Sequence, residues 1–323
     1  MAAGADPSVL TQAAAFLSWN GTLLALFGGQ LAAVGLAYYN KYVAAGLALY
    51  AARAAVLRAA SGPHSKFYHF SKYWPVLIAM RAHLQLSFAP LPKVLVQAEA
   101  KKGAQFIFAL SPHGADNAFR ILMDGMLDEL FPNIHMRIFT LAASVLFCIP
   151  FVREMAIWTG CVDASRPVAE KVLSKGNSLI ILPGGEAEQI MTQRGVEAVY
   201  LKDRKGFIRL AMRKNVPVVP GYVFGSNDTF HMSRLFYKVR YTIMKKFGIC
   251  IPLSAGLLGT FCPLPEKNTI CFGEPMSWKP AKAGEPTKEE IDKAHVEYVD
   301  ALQKLFDKHK ASVGKGDRTL KIV

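Results

Sequence analysis

Residues Phe106–Phe131 read "FIFALSPHGADNAFRILMDGMLDELF". Five apolar residues, Phe106–Leu110, stop abruptly at a polar run, Ser111 to Asn117. A short apolar run bounded by turn residues reads as a buried strand. Pro112 biases Ser111 toward an extended backbone, so the strand should run up to the motif. Gly114 lets another backbone or a ligand come close. His113 is then presented at the end of the strand. Beyond it, Phe119, Leu122, Met123, Met126, Leu127 and Leu130 share one face of an expected single helix. Strand, polar loop and helix in that order form the unit of an α/β fold.

The same unit recurs. Further buried strands are expected over Arg137–Leu141, Ser178–Leu182, Val216–Phe224 and Thr269–Phe272. Helical patterns lie between them. "SRPVAEKVLSKG" has Pro167 near its start and Gly176 at its end. "GFIRLAMRKN" is short. "TKEEIDKAHVEYVDALQKLFDKH" is long and amphipathic, and Thr287 with Glu290 forms a capping box. The fold class is α/β, with a partly parallel central sheet flanked by helices.

In open α/β sheets, ligands collect beyond the carboxyl ends of the strands. Three strands are followed by Gly-bearing polar loops: "SPHGAD", "PGGEAEQ" and "GSNDTF". If those strands are parallel neighbours, the loops converge. They bring together His113, Glu186 or Glu188, and Asn227 or Asp228. A histidine with a carboxylate from another loop suits general-base activation of a hydroxyl. The rival signatures G-x-S-x-G, Walker A, G-x-G-x-x-G and H-E-x-x-H do not occur. Lys202, Arg204, Lys205, Arg209, Arg213 and Lys214 crowd around the "GFIRL" helix, with Gly206 near its start. Such cations suit a phosphate group, a solvated face or an anionic lipid surface.

Composition narrows the partners. Of 323 residues, 52% are hydrophobic and 19% charged, with a net charge of +14. A basic, apolar chain suits an anionic bilayer or an anionic ligand. No zinc-finger spacing or RNA-binding signature points to nucleic acid. Five cysteines without a C-x-x-C pair fit a reducing, cytosol-facing compartment. Pro7–Asn40 contains no Asp, Glu, Lys or Arg, and Gly21–Tyr39 is long enough to span a bilayer. A second apolar stretch, Tyr42–Ala60, carries Arg53 and Arg58. A membrane-embedded hairpin with both ends cytosolic is expected, giving an anchoring segment over 1–66 and a cytosol-facing domain over 67–323. Residues 67–88 suit either an interfacial helix or a core helix.

"SPHG", "PGGEAEQI", "DRKGFIRLAMRKNVPVVPGYVFGSND" and "LFDKHK" resemble the acyl-CoA:diacylglycerol acyltransferase type-2 family. That family includes monoacylglycerol and wax-ester acyltransferases and is related to the lysophospholipid acyltransferases. The resemblance implies a glycerolipid acyltransferase-like fold. It also implies transfer of a fatty acyl group from acyl-CoA to diacylglycerol, forming triacylglycerol. The family's H-P-H-G falls on Ser111-Pro112-His113-Gly114, making His113 the catalytic base, with Ser111 in place of the first histidine. Its G-G-x-x-E falls on Gly184–Glu188, making Glu188 the matching carboxylate, with Glu186 as an extra acid. Its R-x-G-F falls on Arg204–Phe207, and its F-G-E-N on Phe224–Asn227, with Ser226 in place of the acid.

On this reading Glu188 orients the imidazole. Gly114, Gly184 and Gly185 support the oxyanion, and Arg204, Lys205, Gly206 and Arg209 bind acyl-CoA. Ser111, Asp116, Glu186 and Asn227 stand as supporting residues. No cofactor or metal is expected, because acyl-CoA is itself the substrate. The implied location is the endoplasmic reticulum membrane and lipid droplets. The implied partners are acyl-CoA, diacylglycerol and the bilayer, with no nucleic acid and self-association left open. Other acceptors remain open: monoacylglycerol, a fatty alcohol or a lysophospholipid. So does a non-catalytic membrane protein of the same fold.

Overall fold

The computed structural model describes residues 7–59, 66–149, 151–247 and 250–323. Its strands are β1 (Ser87–Phe88), β2 (Ile107–Ser111), β3 (Ile138–Ala142), β4 (Cys161–Asp163), β5 (Ser178–Ile181), β6 (Ala198–Val199), β7 (Val218–Phe224), β8 (His231–Met232), β9 (Ser254–Ala255), β10 (Thr269–Phe272) and β11 (Lys321–Ile322). Seven form one sheet in the order β1-β10-β7-β2-β5-β3-β4. From β7 to β4 the pairing is parallel throughout, while β10 runs antiparallel to β7. The remaining strands make two small pairs, β6 with β11 and β8 with β9.

The central strands read as continuous apolar runs because helices cover both faces. Ile107 and Ala109 point into one core, with Leu179, Val218, Phe207, Leu302 and Phe306. Phe108 and Leu110 point into the other, with Met80, Leu95, Phe119 and Leu122. The helices Arg166–Ser174, Gly206–Lys214 and Lys288–His309 belong to the first face. The last begins with the expected box: Glu290 N–H donates to Thr287 Oγ1, and Thr287 N–H donates to the Glu290 carboxylate. It also reaches the sheet, where Tyr298 donates its hydroxyl to the Ala109 carbonyl at 3.2 Å.

Two expectations change. The single helix through residue 131 is two short ones, Ala118–Asp124 and Leu127–Leu130. Gly125 breaks it. A Cβ there would sit 2.2 Å from the Ser71 carbonyl oxygen and inside the Arg81 guanidinium. Arg81 donates to the carbonyls of Leu122, Lys72 and Ser71, taking over the end of the first helix. The stretch 67–88 becomes the helices Tyr68–Tyr73 and Pro75–His83. Leu77 and Met80 are buried in the second core, so this is core structure with an exposed flank at Phe67, Tyr73 and Ile78.

The N-terminal region forms two consecutive helices. One helical run, Val9–Tyr39, is 31 residues long and apolar enough to cross a membrane. It contains a π-helical turn at Leu24–Gly28. A second helix, Lys41–Ala59, follows a break at Asn40, whose side chain accepts from the N–H of Tyr42 at 2.9 Å. Its expected end at Ala60 lies outside the described residues. Leu17, Leu24, Phe27, Leu31, Val34 and Leu36 of the first run are exposed. At its base, Trp19 Nε1 donates to the Phe261 carbonyl at 3.0 Å, and Asn20 donates to Thr260 Oγ1 at 3.2 Å.

Candidate active site

Strand β2 lies between β7 and β5 and parallel to both, with Ser111 opposite Tyr222 and Ile107 opposite Leu179. The three expected loops therefore leave the sheet at one edge. The loop after β2 carries His113. The loop after β5 opens the helix Gly185–Met191, and the loop after β7 holds Ser226–Asp228.

Close backbone packing sets the arrangement. Gly114 has φ +71°, and a Cβ there would come within 2.9 Å of the Ser226 carbonyl oxygen. Only glycine lets these two loops touch at this distance without strain. Gly184 is needed for a different reason. Its missing Cβ leaves room for the Glu188 carboxylate, whose Oε2 would lie 2.2 Å from an added carbon. Gly185 N–H is already engaged, donating to the Leu182 carbonyl at 3.1 Å. That leaves it without the free N–H that oxyanion support requires.

His113 is half-buried, with Nδ1 3.1 Å from the Gly114 carbonyl oxygen. A carbonyl can only accept, so Nδ1 carries the hydrogen and Nε2 keeps its lone pair. Burial holds the imidazole pKa below its ordinary 6.5, opposed by the Gly114 carbonyl and by the charge of Glu186.

Glu188 is buried and does not meet the ring. Its carboxylate accepts the main-chain N–H of His113 and, at 2.7 Å, that of Tyr200. The expected orientation of the imidazole by Glu188 is therefore corrected: Glu188 anchors the loop backbone, and Glu186 is the acid whose charge the ring senses. Burial pushes the Glu188 carboxyl up to about 7, against the two N–H donors and the nearby Arg204. Neither Tyr200 nor Ser226 was singled out as a contact from sequence. Both act through the main chain, so their side chains leave no signal.

The other expected residues disperse. Asp116 Oδ1 accepts the Ala118 N–H at 3.1 Å and caps the following helix. It is exposed, yet protein surrounds it closely enough for desolvation to raise its carboxyl to about 6. Ser111 is fully buried, and its hydroxyl has no partner among the described residues. Asn227 donates to the Val196 carbonyl at 3.0 Å. The basic cluster splits. Arg204 lies over the Tyr200 ring, 5.1 Å from its centroid. Lys205 pairs with Asp292 at 2.7 Å, and Arg209 faces solvent. Gly206 starts the helix in open space.

The arrangement can hold a neutral imidazole at a strand end, with Nε2 as its basic nitrogen. Comparisons with known proteins match it to a family. The profile described as "Diacylglycerol acyltransferase" matches residues 65–323. Diacylglycerol O-acyltransferase 2-like protein 6 of Mus musculus is 35% identical over 203 residues, covering 58% of this chain and 59% of that protein. Diacylglycerol O-acyltransferase 2 of Dictyostelium discoideum is 34% identical over 230 residues, covering 64% and 66%. Its namesake in Homo sapiens is 34% identical over 228 residues, covering 65% and 58%. The chain thus spans about three fifths of the length of the curated relatives it matches. Among solved structures, the 1-acyl-sn-glycerophosphate acyltransferase PlsC of Thermotoga maritima aligns at TM-score 0.48 and 15% identity, over 93% of this chain and 96% of that one. With its profile matched from residue 65 to residue 323, the chain belongs to the diacylglycerol acyltransferase family.

Proposed function

We propose that the chain transfers a fatty acyl group from acyl-CoA to the free hydroxyl of diacylglycerol, yielding triacylglycerol and CoA. The observation that carries this reading is the lone pair on His113 Nε2, freed by the Nδ1–Gly114 contact at the carboxyl edge of the sheet of a family member. His113 takes the proton as the hydroxyl oxygen attacks the thioester carbonyl. The C–S bond breaks, and the proton passes to the departing thiolate. Such a base contributes roughly 10²–10⁴-fold. The nearby Glu186 stabilises the transient imidazolium. With Gly185 engaged elsewhere, the oxyanion role falls to the main chain of Gly114 and Gly184. Arg204, Lys205 and Arg209 are assigned to the CoA phosphates.

The acceptor is a lipid, and two surfaces support a site against the bilayer. One is the exposed apolar helix Val9–Tyr39. The other spans residues 229–265, which contain no Asp or Glu. There Leu235, Phe236, Val239, Leu258 and Phe261 are exposed beside Arg234, Lys238, Lys245 and Lys246. The Trp19–Phe261 bond joins the two. We place the domain on the cytosolic side of the endoplasmic reticulum membrane, where five free cysteines are stable.

The test uses membranes containing the full chain, labelled acyl-CoA and a panel of acceptors. Labelled triacylglycerol is the expected product, and His113→Ala should lower its rate at least about 10²-fold. Wild-type rates in that variant would overturn the role of His113. Preference for a monoacylglycerol, fatty alcohol or lysophospholipid would overturn the acceptor.

A further inference from the structure

The segment between the helices Gly185–Met191 and Gly206–Lys214 is held from outside by the end of the chain. Strand β11 pairs in parallel with β6, Lys321 opposite Ala198 and Ile322 opposite Val199. Lys321 N–H donates to the Glu197 carbonyl at 2.8 Å, and Val323 N–H to that of Val199 at 2.9 Å. The Val323 carbonyl accepts the N–H groups of Leu201 and Lys202 at 2.9 and 3.1 Å.

Arg318 adds a charged tie. Its Nη1 lies 2.8 Å from Glu197 Oε1 and 2.6 Å from Asp228 Oδ2. Lys315 Nζ also meets Asp228. Both carboxylates are buried, with 2% exposure each. Their other oxygens are used as well. Glu197 Oε2 accepts the Tyr222 hydroxyl at 2.7 Å, and Asp228 Oδ1 accepts the Gly195 N–H at 2.8 Å.

Glu197 and Asp228 belong to the two walls beside His113. On one wall, Tyr200 N–H donates to Glu188, which accepts the His113 N–H. On the other, the Ser226 carbonyl abuts Gly114. Without Arg318, Asp228 would keep Lys315 but Glu197 would be a buried carboxylate with no cation, which would push the walls apart or draw in water. We infer that Arg318 is a positioning residue for acyl transfer: by bridging Glu197 and Asp228 it fixes the spacing of the two walls, and with it the placement of the His113 imidazole. This rests on the acyltransferase reading above. Arg318 acts through other residues and is assigned no contact with substrate.

The experiment uses the full chain in lipid nanodiscs, as wild type, Arg318→Ala, Arg318→Lys and, as a surface control, Arg166→Ala, whose partner is Glu170 on its own helix. The first readout is carbethoxylation of His113 by diethyl pyrocarbonate, followed across pH by peptide mass spectrometry. It reports the state of the ring without any acyl transfer. The charged group that acts on that ring is Glu186 on the neighbouring helix, while Glu188 on the same helix holds the His113 peptide N–H and Asp116 lies on the same loop as His113. Cys250, Cys262 and Arg204 lie behind them.

Arg318→Ala should admit water and move the midpoint up toward the ordinary value of about 6.5. Its kcat should fall about tenfold or more while the KM for acyl-CoA stays within about threefold. Arg318→Lys should restore most of both effects, and Arg166→Ala should show neither. An unmoved midpoint in Arg318→Ala, or an equal movement in Arg166→Ala, would overturn the inference. If the wild type transfers no acyl group, the acyltransferase reading fails, and the carbethoxylation midpoints still decide the placement role.

Discussion

Glu188 holds His113 by its peptide N–H and leaves the imidazole to its own contact, Nδ1 with the Gly114 carbonyl. The carboxylate is thus a brace for the loop, and a second N–H, from Tyr200, ties that brace to the next segment. The electrostatic partner of the ring is the other acid of the motif, Glu186.

The brace predicts the outcome of Glu188→Gln. The amide keeps one acceptor oxygen but turns its NH₂ group toward the second N–H donor. Leaving a buried donor unpaired costs about 1–3 kcal/mol. A lower melting temperature in detergent should accompany at least a tenfold loss of acyl transfer. A variant as stable as wild type would show that the carboxylate does not serve both donors.

Glu188 also predicts a pH dependence of stability. Its carboxyl is raised from 4.5 to about 7 in the folded chain. Between those values the folded state binds more protons than the unfolded state, so stability falls as pH rises, by about 1.4 kcal/mol for each pH unit crossed. Across pH 4.5 to 7 the melting temperature of the wild type should therefore fall relative to that of Glu188→Gln, in which the titrations of His113 and Asp116 are retained. Equal slopes would remove Glu188 as the source.

For Glu186→Gln the expected effect lies in the rate profile. Glu186 raises the pKa of His113, so neutralising it lowers that pKa further. In its proposed role as base His113 must be deprotonated, so the acid limb of kcat/KM should move to lower pH. A limb that stays in place would remove Glu186 as the partner of the ring.

Two glycines with positive φ separate strain from overlap. Gly185 has φ +53°, and an added Cβ meets nothing within 4 Å, so Gly185→Ala should cost only the backbone penalty of about 1–2 kcal/mol. At Gly114 the same penalty adds to a Cβ 2.9 Å from the Ser226 carbonyl. Gly114→Ala should be clearly the less stable of the two in denaturant titration. Equal losses would mean that the two loops are not in close contact.

Much of the site was legible because its chemistry lies in side chains of distinctive type at strand ends. His113 after a buried run, and Gly-Gly-x-x-Glu after another, could each be placed at the carboxyl end of a strand from the pattern alone, and the strand order then put both on one edge. The weak points were those where the main chain does the binding. The expected Glu188–imidazole pair failed because a carboxylate accepts a peptide N–H as readily as a ring N–H, and sequence does not say which is nearer. Likewise, the spacing from Phe119 to Leu130 is helical throughout. Yet Ser71 and Arg81, far upstream in the chain, occupy the space that a continuous helix would need at Gly125.

By itself, the sequence determined the α/β alternation, the buried strands, the apolar N-terminal run and the histidine at the strand end. These follow from local hydrophobic periodicity and turn chemistry, which act over a few residues. Only the tertiary structure decided the strand order that makes β7, β2 and β5 neighbours, the use of Glu188 as a backbone brace, and the bridge from Arg318 to Glu197 and Asp228. Those depend on contacts between segments up to 121 residues apart. Their pairing is set by packing and by the need to satisfy buried polar groups, and neither is written in any local pattern.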